Sequence, residues 1–128
     1  MALLNTQQKK ALKRYVTDIP DFSTQTKLGE FLAMYFACHI LAEKLIEYKK
    51  GKKGKQVRTD SIKSAVKTFG LQINGSIIDN IFFSDKKYTC RQLRNDYVHK
   101  FSEDAKNEIE ARFNILKNDM KQWIDLFK

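Results

Sequence analysis

The 128-residue chain reads as an all-α helical bundle. Three observations predict this. Apolar residues recur at helical spacing in most segments, and no strand-like alternation of useful length appears. One proline and five glycines leave long stretches uninterrupted. Candidate capping residues stand just before several of the apolar segments. The expected architecture has about five to six helices, with two long antiparallel ones, 24–48 and 103–127, as its pillars. Residues 1–128 are expected to form a single domain, long enough to bury a core.

Each element has its own signal. A first helix is expected from Asn5 or Thr6 to before Pro20, with Leu12, Tyr15, Val16 and Ile19 on its apolar side. Asp21 or Ser23 is a candidate cap for the second helix. Between Phe31 and Ile46 that helix is apolar around most of its circumference, so it is central or also faces a second subunit. Thr59 or Asp60 is expected to cap a third helix ending at Gly70, a natural left-handed stop. Asn74-Gly75 marks a turn before the short apolar helix SIIDNIFF. Thr89 and Gln92 have capping-box spacing, so a helix is expected to start there. Ile109, Phe113, Leu116, Met120, Trp123 and Phe127 recur at steps of four and three, the face of one long final helix behind a Ser102 cap.

Composition narrows the function. A hydrophobic content of 42% with 30% charged residues is that of a soluble globular chain. The longest apolar run, FLAMYFACHILA at 31–42, is interrupted by His39 and too short for a bilayer span, so it reads as core. No membrane association is expected, and the N-terminal residues lack the pattern of a signal peptide. Two well-separated cysteines, Cys38 and Cys90, form no disulfide framework and point to a reducing, cytoplasmic setting. With only two histidines besides, a zinc site is not expected. The net charge of +9 points to a polyanionic partner. KKGKKGKQVR at 49–58 concentrates six of the positive charges on a glycine-containing loop. Lys52, Lys53, Lys55 and Arg58 there, together with Arg91 further along the chain, are candidate nucleic-acid contacts; the alternative for the loop is a solubilising connector.

The densest chemistry lies in RQLRNDYVHK, residues 91–100. On a helix, Leu93, Tyr97, Val98 and Phe101 fall on or near one side and hold to the core, while Arg91, Asn95 and His99 form a polar stripe at i, i+4 and i+8. Arg94 lies between these faces. Arginine offers a charged planar fork that matches phosphate oxygens. Histidine exchanges a proton near neutrality. Together such groups can cleave RNA without a metal: a base takes the 2′-OH proton, the oxygen attacks phosphorus, and guanidinium stabilises the negative charge. The plain alternative is a solvated basic face. His39, among apolar residues of the second helix, reads as a core histidine, and Glu30 or Glu43 as a candidate acid facing Arg91 or Arg94.

The stretch Leu-Arg-Asn-Asp-Tyr-Val-His-Lys-Phe, residues 93–101, resembles the signature of the HEPN superfamily, an arginine, a polar residue that is often asparagine, and a following histidine. The specific match covers about nine residues. The resemblance implies an all-α bundle of about this size and a metal-independent endoribonuclease needing no cofactor. It implies that Arg94 binds the scissile phosphate, His99 serves as general acid or base and Asn95 orients the site. It also implies a homodimer, since two Arg/His sets meet across the subunit boundary in active members, and products ending in a 2′,3′-cyclic phosphate and a 5′-OH. Many relatives are toxins or effectors of antiviral abortive infection, some paired with an antitoxin or other regulatory protein. In the subgroup controlled by nucleotidyltransferase antitoxins a tyrosine follows the histidine by two positions. Here Phe101 stands there and lacks the hydroxyl that such control modifies. The alternative function is a non-catalytic helical module that binds RNA or protein, such as a degenerate member of the superfamily.

Overall fold

The computed structural model describes residues 3–17, 26–53, 56–84 and 86–128. These form seven α-helices and no strand: α1 (Thr6–Thr17), α2 (Lys27–Lys50), α3 (Thr59–Thr68), α4 (Gly75–Phe82), α5 (Cys90–Lys100), α6 (Glu103–Ala111) and α7 (Phe113–Asp125). The all-α expectation holds. Among the described residues, no helix is long and apolar enough to cross a membrane.

Local chemistry sets the helix ends. Asn5 and Gln8 exchange side-chain bonds to each other's backbone N–H at 2.8 and 2.9 Å, a reciprocal box that starts α1. The Thr26 hydroxyl accepts from Gly29 N and caps α2; Asp21 and Ser23, the expected caps, lie outside the described residues. Gly51 closes α2 with φ 68, the left-handed region that favours glycine. For α3 the cap position falls on Arg58, which makes no capping bond, rather than on Thr59 or Asp60. That helix ends as expected: Leu71 N donates to Val66 O and Gly70 N to Lys67 O, with Gly70 at φ 67. Asn74 caps α4, Thr89 caps α5 and Ser102 caps α6 through their side-chain oxygens. Gln92 does not complete the capping box at Thr89; its amide donates to Asp96 instead.

The expected final helix, 103–127, is two helices meeting at Arg112, whose backbone (φ −103, ψ 11) leaves the helical range. Its apolar face is unbroken: Ile109, Phe113, Leu116, Met120, Trp123 and Phe127 are all buried. Arg112 N still donates to Glu108 O and Leu116 N to Arg112 O, so the interruption barely redirects the chain.

Packing centres on α2. Trp123, fully buried, donates its indole N–H to Cys38 O at 3.1 Å, and the Cys38 thiol points to Met120 O. Removing such a side chain costs roughly 3–5 kcal/mol in typical cores. From α7 a line of aromatic rings runs across the core: Phe127 on Trp123 at 5.2 Å, Trp123 on Phe82 at 5.5 Å, Phe82 near Tyr35 at 6.5 Å and Tyr35 near His39 at 6.1 Å. Both cysteines are free and fully buried, and burial pushes both thiols well above their ordinary pKa.

The long helices run in the same direction, which corrects the antiparallel expectation. Glu30 pairs with Lys117 at 2.7 Å, and further along both helices Cys38 meets Met120 and Trp123. The reason is α5. Its residues 91, 94 and 98 lie against 39, 35 and 32 of α2 in turn, so α5 is the antiparallel partner and the chain rises again with α2 afterwards.

Candidate active site

The motif helix α5 is anchored by buried Cys90 and Leu93, and the remaining motif side chains sort by face. Val98 and Phe101, expected at the core, are exposed instead: Val98 borders the open cleft, and Phe101 stands in the left-handed position that closes α5. Arg94 turns toward α2. It is half-buried, its guanidinium carbon 5.1 Å from the centre of the Tyr35 ring. With Leu32, Tyr35, Phe36, His39 and Val98 it lines an open cleft of about 370 Å³. Among the described residues no carboxylate lies within ion-pair distance of Arg94. Glu30 is committed to Lys117, and Glu43 sits 3.7 Å from His39 Nε2, so neither of these two candidate acids makes an ion pair with Arg94 or Arg91.

His99 points elsewhere. It is exposed in the last turn of α5, beside exposed Lys100 and Phe101. Five residues on an α-helix place Arg94 and His99 about 140° apart around the axis. The cleft holding Arg94 is not lined by His99, so one chain does not bring the two into one pocket. Asn95, half-buried, shares the His99 side of the helix at i, i+4 spacing.

Arg91 serves the scaffold. Its Nη1 donates to Val57 O and, at 3.5 Å, to Phe82 O, tying α5 to the segment before α3 and to the end of α4. This draws the basic loop toward the motif helix. Arg58 is exposed and lines, with Arg91, His39 and Glu43, a second cavity of about 640 Å³. Lys52 and Lys53 are exposed just past the end of α2, and Lys55 lies outside the described residues.

The residue that sequence reasoning assigns to the core is the one that joins the two cavities. His39 lines both, and its side chain is 30% exposed. Burial lowers its pKa, Glu43 opposes that shift, and Arg91 and Arg94 add to it. Tyr35 is buried beneath the same cleft, and burial raises its pKa against the pull of both arginines. Neither residue has a local signal, because both sit in an apolar run at helical spacing. Only the antiparallel return of α5 sets them against Arg94.

Among the described residues no cluster of three or more histidine, cysteine, aspartate or glutamate side chains is placed to hold a metal ion. No protein-family model matches the chain, and searches of curated proteins and of solved structures find none that matches.

Proposed function

We propose that the chain is a metal-independent endoribonuclease of HEPN type, working as a homodimer in a toxin or antiviral abortive-infection role. The observation that carries this reading is Arg94: a half-buried arginine with no carboxylate partner among the described residues, held over Tyr35 at the edge of an open cleft. Unpaired arginine in such a place is suited to a phosphate oxygen. The nine-residue resemblance at 93–101 supplies the companion base.

In the proposed reaction an imidazole takes the 2′-OH proton and the 2′ oxygen attacks phosphorus. The bond from phosphorus to the 5′ oxygen breaks, and that oxygen takes up a proton. The product ends are a 2′,3′-cyclic phosphate and a 5′-OH. Arg94 stabilises charge on the non-bridging oxygens, where a preorganised cation contributes most. Because Arg94 and His99 of one chain diverge, the reading requires His99 from a second copy. Phe36, 66% exposed, and exposed Val98 flank the Arg94 cleft, and a partner covering them would remove apolar surface from water. RNA would enter past Arg58, Lys52 and Lys53. A regulatory protein or antitoxin is a further partner on this reading.

The test is incubation of purified protein with mixed RNA in excess EDTA, beside Arg94→Ala and His99→Ala. Cleavage should survive chelation and vanish in both variants, with RNA binding largely kept in His99→Ala. Light scattering on Val98→Asp should report a folded, inactive monomer. An active monomer with wild-type rates would defeat the composite site.

The divergence of Arg94 and His99 also favours a second reading, a non-catalytic RNA- or protein-binding module. RNA binding by the wild type without any cleavage would select it.

A further inference from the structure

Among the described residues, three buried side-chain polar atoms make no hydrogen bond of normal geometry, the Tyr35 hydroxyl, His39 Nδ1 and Arg94 Nε, although the Arg94 guanidinium stands close enough to the Tyr35 hydroxyl to oppose the rise in its pKa that burial causes. All three residues line the same cleft between α2 and α5. Buried polar atoms are nearly always paired, and an orphan signals a missing water, an ion or a functional group. Three in one seam, contributed by two helices, are not scattered packing faults. Each left unpaired costs about 1–3 kcal/mol.

The surrounding charge discriminates between the candidates. Arg94 is in the seam and Arg91 acts on the same histidine, while Glu43 is the only acid among the described residues that does so. Tyr35 and Arg94 offer hydrogens, and His39 offers one when Nδ1 is protonated. Such a set suits an anion with several acceptor oxygens better than a neutral ligand.

We infer that Tyr35, His39 and Arg94 together form a phosphate-binding pocket in which non-bridging oxygens of the RNA backbone replace the missing partners. The inference rests on the ribonuclease reading for the source of the phosphate, and it makes Tyr35 and His39 substrate contacts in addition to the motif residues. The three atoms are buried, so on this inference side chains at the seam shift to admit the phosphate. Protonation of His39 is favoured by the arriving phosphate, offsetting the two arginines that oppose it.

The test is a titration of the wild type with inorganic phosphate and with a short 2′-O-methyl RNA, which cannot be cut by 2′-OH attack. Side-chain nitrogen NMR signals of Arg94 Nε and the His39 ring are followed. Both ligands should shift both signals saturably. Tyr35→Phe and His39→Gln should each weaken phosphate binding by about tenfold, the loss of one charge-assisted hydrogen bond. Both are close in shape to the native residue, and unchanged thermal midpoints would exclude unfolding as the cause. Unmoved signals in the wild type would mean a water-filled seam and overturn the inference whatever the variants do; so would equal affinity in folded variants. A wild type that cuts RNA in EDTA with both variants fully active would sink the pocket and leave the ribonuclease reading standing. Phosphate bound at these atoms with no RNA cut would do the reverse.

Discussion

Arg91 on the motif helix donates to the backbone carbonyl of Val57, just before α3. This bond makes the basic segment and the candidate site neighbours, although 34 residues separate the two in sequence. It also gives Arg91 a different role from that of a free phosphate ligand.

Arg91→Ala should therefore destabilise the protein, by about 1–3 kcal/mol, because it strands the carbonyls of Val57 and Phe82. Arg91→Lys should recover only part, since an ammonium lacks the planar fork. Urea midpoints check both. Unchanged midpoints with weakened RNA binding would instead make Arg91 a nucleic-acid contact.

His39 predicts acid sensitivity. Its pKa is held below the ordinary 6.5, first by burial, with Arg91 and Arg94 acting in the same direction and Glu43 against it. Tyr35 also faces it, and Arg58 and Asp60 line the neighbouring cavity. The fold thus favours neutral imidazole. That contribution is complete above pH 6.5 and is lost as pH falls through the depressed folded value. Denaturant midpoints measured from pH 7 downward should drop less in His39→Gln than in the wild type.

Asp119 has the opposite sign. It is buried, and burial raises its pKa from 3.8, with the Asn80 side chain partly offsetting the shift. Its contribution is favourable below pH 3.8 and is lost as pH rises through the raised folded value. Asp119→Asn should raise the urea midpoint at pH 7, and the gain should shrink toward pH 4. A destabilised variant at neutral pH would show that the charged form has a partner of its own.

For the basic loop the readout is salt. Lys52→Gln with Lys53→Gln should weaken RNA binding and flatten its salt dependence. The log–log slope should fall by about 0.7 for each phosphate of a single strand that the variant no longer neutralises. An unaltered slope would make the loop a connector.

How much of this is legible in the sequence depends on the range of the cause. Caps at Thr89 and Ser102, the stop at Gly70 and the turn at Asn74 are readable, because each acts within a few residues. The break at Arg112 is not. No glycine or proline marks it, and the apolar period runs straight through. Arg112 instead stacks on the Tyr88 ring at 4.0 Å and pairs with Glu108, interactions that appear only after folding. The direction of the long helices is hidden for a related reason: the period gives a helix its face but not its heading. At the site, the types of residue on α5 are apparent, but which of them meet α2 is not. Arg94 meets Tyr35 and His39, while His99 stays at the surface.

The two sealed cysteines have a practical consequence. A thiol reagent can reach Cys38 or Cys90 only when the bundle opens, so alkylation becomes a clock for that opening. Wild-type protein therefore carries its own probe of unfolding, and a single cysteine introduced at an exposed position can be dye-labelled selectively with the native pair left in place.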